Sequence, residues 1–319
     1  MKAEAKTNFW QNFKTAAPGR PILALAPMAG ITDSAFRQIC KDFGADVVYS
    51  EMASAAALFF QPKKTLELLR FDPSERPYVV QLFGADPEHF IRAVKIVEKK
   101  IKPDGFDINF GCPVKKVAKQ GAGAVLMDRP KEAHEIVKAV VSSTGLPVSI
   151  KIRTLSGKTD ALRFLDKLND LPLAAVMIHG RSMSQGHAGL VDTMTIKKAR
   201  NHFAGIILAN GGVTDLKTAY DLFDQTGADG LGIARGALGR PWIFDNIKRK
   251  IEKGKSREET FGLAIKHAGI AFRLKGAAGL IEMRKHLCWY VAGQTDASEL
   301  RRGLVLVSSL KEIKKILQQ

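Results

Sequence analysis

Cysteine is scarce: three in 319 residues, at 40, 112 and 288, with no C-x-x-C pair. That spacing excludes a disulfide framework and a cysteine zinc site, and fits a reducing compartment. No run of about 18 apolar residues occurs, and the opening MKAEAKTNFWQNFKTAAPGR lacks the apolar centre of a secretion signal. Repeats and low-complexity tracts are missing too. The expectation is an unexported, cytoplasmic, soluble protein that acts as a monomer without membrane or metal. Acidic residues are the minority, 32 against 49 Lys and Arg, leaving a net charge of +17. A surface of that sign favours a polyanionic partner. Residues 248–319 hold 16 Lys and Arg against 7 Asp and Glu, so +9 of the excess falls in the last quarter of the chain.

Short, apolar, β-branched runs recur along the first 240 residues, at Ile22–Ala29, Val47–Met52, Tyr78–Gly84, Phe106–Phe110, Pro147–Arg153, Ala174–Gly180, Gly205–Gly211 and Gly230–Ala234. Runs such as YVVQLF and GIILAN suit strands covered on both faces. Amphipathic segments alternate with them: Phe36, Ile39, Cys40 and Phe43 share one helical face, as do Phe90, Val94, Val97 and Ile101. Asp86-Pro87-Glu88 reads as a helix start. Eight such units predict an α/β fold of the (β/α)8 TIM-barrel kind over residues 1–252. A doubly wound sheet is the alternative, disfavoured because no G-x-G-x-x-G turn follows the first strand. Beyond Trp242, stripes at Phe261, Ala264, Ile265, Ala268 and at Leu306, Leu310, Ile313, Leu317 predict a small, basic, all-helical domain over residues 253–319, with a linker near Lys253–Ser256.

In such a barrel, chemistry sits at the C-terminal ends of the strands. Polar residues fall there: Gln81, Asp107, Asn109, Cys112, Lys151, Arg153, His179, Arg181, Asn210 and Arg235. Glycine-rich loops after strands seven and eight, Asn210-Gly211-Gly212 before a helix cap at Thr214 and Ala234-Arg235-Gly236, predict a phosphate site. Lys151 interrupts a Val and Ile strand, which calls for an anion or electron-rich ring beside it. Gln81 and Asn109 offer paired donors and acceptors suited to a pyrimidine edge, so a flat, heteroatom-rich cofactor with a phosphate tail, such as FMN, fits the set. Isolated His179 has no metal-ligand neighbour at suitable spacing. Cys40 and Cys288 read as core residues. Cys112 opens a loop carrying Lys115, Lys116, Lys119, Gly121 and Gly123, predicted to be a mobile, basic flap, and its thiol can serve as nucleophile or proton donor.

Taken in order, APMAGITDSAFR, SEM at 50–52, VVQLFG, DINFGCPVKKV with GAGAVLM, KIR, HGR with Gln185, NGG, ARGALGRPWIF and RKHLCWY resemble the flavin-dependent tRNA-dihydrouridine synthases, more particularly their bacterial B-type group. The resemblance spans nearly the whole chain. It implies FMN held by Pro27, Met28, Ala29, Gln81, Lys151 and His179, with phosphate at Asn210, Gly211, Gly212, Ala234 and Arg235. It further implies NADPH as reductant, tRNA as partner and substrate, and Cys112 as the acid that protonates C5 of an extruded uridine. Asn109 would then hold the uracil edge, Arg181 would help place substrate or cofactor, and Lys115 and Lys116 would meet RNA. One loop departs from the pattern. Where the family shows HGRTR, Q-x-Y-x-G and a D-W pair, this chain has His179-Gly180-Arg181-Ser182-Met183, Gln185-Gly186-His187-Ala188-Gly189 and Asp192-Thr193. Two other readings stand beside this one: an FMN oxidoreductase of free pyrimidines, and an RNA-binding protein that retains flavin. The basic tail argues against the first and the intact polar set against the second.

Overall fold

A computed structural model describes residues 8–16 and 19–318. Its centre is a closed sheet of eight parallel strands: β1 (Ile22–Leu25), β2 (Val47–Tyr49), β3 (Tyr78–Phe83), β4 (Gly105–Asn109), β5 (Val148–Arg153), β6 (Ala175–His179), β7 (Ile206–Asn210) and β8 (Gly230–Ile233). Each strand pairs with the next, and β8 pairs with β1. The predicted (β/α)8 TIM barrel is therefore present. β1 ends at Leu25 rather than at Ala29, because Pro27 has no N–H to give to a ladder.

Side chains alternate across this wall. Val148, Ile150 and Ile152 of β5 face the outer helices in one large apolar cluster, while Ser149, Lys151 and Arg153 take the inward positions. Near the N-terminal ends of the strands the interior is apolar, filled by Ile22, Ala24, Val47, Tyr49, Val79, Ala175, Met177, Ile206 and Leu208. Helix α1 (Phe9–Ala16) stoppers that end: Trp10 is buried, its ring centroid 6.4 Å from that of Tyr49. Outside, α2 (Ser34–Asp42), α3 (Pro87–Lys100) and α4 (Leu216–Thr226) start from Asp33, Asp86 and Asp215, whose carboxylates accept first-turn N–H groups. The cap of α4 is Asp215, with a reciprocal box through Thr218, rather than the expected Thr214.

An irregular stretch at 251–256 leads to four further helices, α5 (Arg257–Lys275), α6 (Ala277–Tyr290), α7 (Ala297–Leu304) and α8 (Leu310–Leu317). Their core includes Ala35 and Ile39 of α2, so the tail is cemented to the barrel by apolar contact. Gly239, in the loop after β8, touches the backbone of Trp289 so closely that a Cβ there would lie 2.3 Å from the Trp289 carbonyl oxygen. The segments ARGALGRPWIF and RKHLCWY meet at that point. Two expectations for the tail are corrected. Leu306 is exposed and lies outside α8, because Ser309 and Glu312 form a capping box that starts the helix after it. Cys288 is half-buried rather than core, and its carbonyl accepts from Arg301.

Candidate active site

At the C-terminal end of the barrel the inward positions turn polar and enclose a cavity of about 640 Å³. Every strand contributes to its wall, directly or through the loop that follows: Pro27, Met28 and Ala29 after β1; Gln81; Asn109 and Cys112; Lys151 and Arg153; His179 and Arg181; Asn210, Gly211 and Gly212; Ala234 and Arg235. The loop after β2 adds Met52. All the site residues expected from the sequence line this cavity except Lys115 and Lys116. Those two stand exposed on a helical turn, Lys115–Ala118, that buries Val117 instead.

The wall is electropositive. It presents Lys151, Arg153, Arg181 and Arg235, and among the described residues no carboxylate lines it. The Lys151 ammonium has no hydrogen-bond or ion-pair partner among those residues. Burial, with Arg153 beside it, pulls its pKa down to about 8 against the opposing fields of Asp107 and Cys112. Burial and the same cations, with Arg181 and His187, depress His179 to about 2, so its imidazole is neutral. Gly211 and Gly212 adopt φ of 118° and 76°, a left-handed conformation that turns backbone toward the cavity. A Cβ on Gly211 would come within 3.1 Å of the His179 ring. Unpaired cations, exposed backbone and an absence of competing acids suit a phosphate-bearing ligand with an electron-rich ring.

Asn109 is more committed than its sequence position indicates. Its Oδ1 accepts from the backbone N–H groups of Gly111 and Cys112, at 3.1 and 2.9 Å. Its Nδ2 donates to Gln81 Oε1 at 2.9 Å, leaving one Nδ2 hydrogen, near Met52 Sδ, to meet a ligand. The Cys112 carbonyl in turn accepts from Ala124 N at 3.0 Å, and a Cβ on Gly123 would lie 2.8 Å from that oxygen. The basic segment expected as a mobile flap folds as a helical turn and a 3-10 stretch, Lys115–Ala118 and Gly123–Asp128, with its return at Ala124 bonded to Cys112.

Three residues without an assigned role from the sequence prove central. Asp107 is fully buried behind Gln81 and Asn109, and burial lifts it to about 6 against its bonds from Ser149 and Gln81. Arg153 binds the Gly111 carbonyl at 2.7 Å and the carbonyls of Ser182 and Gly186 at 2.9 and 2.8 Å, tying the loops after β4 and β6 together. Its signal was the alternation in KIR, which puts it on the same face as Lys151. His187 reaches the cavity from the divergent loop, its ring 5.7 Å from that of His179. Arg181 holds the same loop through the carbonyls of Ala188 and Gly189, both at 3.0 Å.

A family profile described as dihydrouridine synthase (Dus) matches residues 24–319. The chain belongs to the dihydrouridine synthase family. Among similar members, the tRNA-dihydrouridine synthase B of Shewanella oneidensis is 34% identical over 88% of this chain and 88% of its own length. That of Pasteurella multocida is 33% identical over 90% and 89%, and the probable tRNA-dihydrouridine synthase 1 of Synechocystis sp. is 32% identical over 92% and 84%. The dihydrouridine synthase chain is thus an enzyme, a flavin-dependent TIM-barrel oxidoreductase of the bacterial B-like group. Solved structures share the fold at low identity: TcOYE with pHBA has a TM-score of 0.53 at 12% identity, covering 75% of this chain and 91% of that one. Histamine dehydrogenase from Rhizobium sp. 4-9 has a TM-score of 0.56 at 12%, covering 93% and 62%. Among the described residues of this dihydrouridine synthase, no helix is long and apolar enough to cross a membrane.

Proposed function

We propose that this chain reduces the C5–C6 double bond of uridine in tRNA to 5,6-dihydrouridine, with FMN as cofactor and NADPH as reductant. The observation that carries this reading is a single cavity holding unpaired cations, two backbone-presenting glycines and the Cys112 thiol at one mouth. Gly211, Gly212, Ala234 and Arg235, with Asn210, would hold the FMN phosphate. Pro27, Met28, Ala29, Gln81, Lys151 and neutral His179 would line its ring. When bound, the flavin, reduced by NADPH, supplies hydride to C6 of the pyrimidine.

Cys112 gives the proton on Sγ to C5, which completes the addition across the double bond, and the thiolate regains a proton from water. Arg181 and the remaining Nδ2 hydrogen of Asn109 hold the uracil edge. A base inside folded RNA must leave its stack to reach this depth. Exposed Lys115, Lys116 and the basic helical region 253–319 would meet the phosphate backbone during that extrusion, as a monomer in the cytoplasm. The test is purification followed by turnover on tRNA that lacks dihydrouridine. Bound FMN and NADPH-dependent appearance of dihydrouridine are expected. A protein that takes up no flavin, or one that oxidises NADPH without modifying tRNA, overturns the proposal.

A further inference from the structure

In and behind the cavity wall, four residues on three adjacent strands, with the two loop peptides that follow the middle strand, form one continuous hydrogen-bond chain. Ser149 Oγ donates to Asp107 Oδ1 at 2.6 Å, and Gln81 Nε2 donates to Asp107 Oδ2 at 2.7 Å. Asn109 Nδ2 donates to Gln81 Oε1 at 2.9 Å, and Asn109 Oδ1 receives the N–H groups of Gly111 and Cys112. The strand register makes this possible, since Gln81 stands opposite Asp107 and Asp107 opposite Ser149.

The two ends of the chain impose its direction. An ionised carboxylate only accepts, so it draws the NH2 of Gln81 toward itself and turns Oε1 toward Asn109. Backbone N–H groups only donate, so they require Oδ1 of Asn109 and turn its NH2 toward Gln81. Both demands agree, and no link is frustrated. Asp107 is fully buried and does not line the cavity, so its carboxylate meets no ligand directly; besides its hydrogen bonds, it acts on the wall only through its field on the Lys151 ammonium.

We propose that Asp107 is a positioning residue whose carboxylate, acting through Gln81 and Asn109, fixes the peptide that carries Cys112 and so sets where the thiol stands over the cavity. Without an acceptor at position 107, the Gln81 amide is free to reverse. Its NH2 then faces the NH2 of Asn109, and relief of that clash turns Asn109 Nδ2 toward the Gly111 and Cys112 N–H groups, releasing the loop. Arg153 continues to hold the Gly111 carbonyl, so the release is local.

Asn at 107 keeps an acceptor for Gln81, with its own NH2 on the Ser149 hydroxyl, which can rotate to accept. Leu at 107 keeps the shape and removes the acceptor. The test is amide hydrogen exchange on the flavin-loaded protein together with turnover. In Asp107→Leu the Gly111 and Cys112 amides should exchange at least tenfold faster while β1 and α6 are unchanged, and kcat should fall at least tenfold with KM within threefold. Asp107→Asn should recover most of both losses. If Asp107→Leu does not fold, Asp107→Ala is read by the same measurements. Unchanged exchange at Gly111 and Cys112 in these variants overturns the proposal, as does equal damage from Asn and Leu. This inference rests on the proposed role of Cys112 only for its kinetic arm, so exchange that responds without any tRNA turnover would leave the chain standing and remove the function instead.

Discussion

The two ends of the barrel interior use the same strands and the same alternation, yet they carry opposite chemistry. Toward the N-terminal ends, inward positions hold Ile22, Tyr49, Val79, Met177 and Leu208 under the stopper Trp10. Two to four residues further along those strands or their neighbours come Gln81, Asn109, Lys151, His179 and Asn210. The first set stabilises the fold by apolar burial. The second costs stability, since Lys151 faces the cavity without a counter-ion and Asp107 is fully buried. One end of the barrel therefore sustains the strain that the other end puts to use.

Substitutions at the two ends should separate cleanly. The largest effect is expected from Cys112→Ala, which should lower turnover on tRNA by about two to four orders of magnitude while flavin content and melting temperature stay the same. Trp10→Ala should do the reverse, costing about 3–5 kcal/mol of stability by denaturant unfolding while the folded fraction keeps its flavin and turnover. Lys151→Met is expected to weaken FMN about ten- to a hundredfold by fluorescence titration, because it removes a charged partner worth about 1.5–3 kcal/mol.

The pH dependence follows from the same lysine. Burial puts its proton on a site of pKa about 8 in place of the ordinary 10.5, so the charged form burdens the flavin-free fold below pH 8 and that burden lifts as pH rises from 8 toward 10.5. An anionic ligand favours the charged form, so FMN affinity should be greatest below pH 8 and fall through it, by at most about tenfold per unit. Lys151→Met should flatten both profiles. The smallest effect is expected far from either end. Lys311→Ala with Lys315→Ala, on one exposed face of α8, should weaken tRNA binding only a few-fold and reduce its salt dependence by up to about two ions.

Much of this division can be read in the chain before any coordinates. KIR, following three apolar or small positions, already places Lys151 and Arg153 on one face, and the order of polar residues at six of the eight strand ends already implies a barrel with one chemical rim. What the sequence does not carry is which polar groups bind each other. Asn109 and Gln81 look alike as free hydrogen-bonding amides, but they are half consumed by Asp107 and by the Cys112 peptide because neighbouring strands bring residues 26 and 28 positions apart into register. Lys115 and Lys116 look like part of the mouth because they follow Cys112. Burial of Val117 rotates them into solvent. His187 was legible only as a departure from the family pattern, and its place beside His179 depends on how Arg181 folds back onto its loop.

In the proposed reaction Cys112 supplies the proton while the rest of the cavity holds flavin and pyrimidine. A single-turnover measurement of dihydrouridine in tRNA, with flavin-loaded wild type and Cys112→Ala given equal NADPH, tests it most directly. Dihydrouridine formation should be slowed at least a hundredfold in the variant, with NADPH oxidation in the absence of RNA unchanged. Equal dihydrouridine formation by both proteins would contradict it.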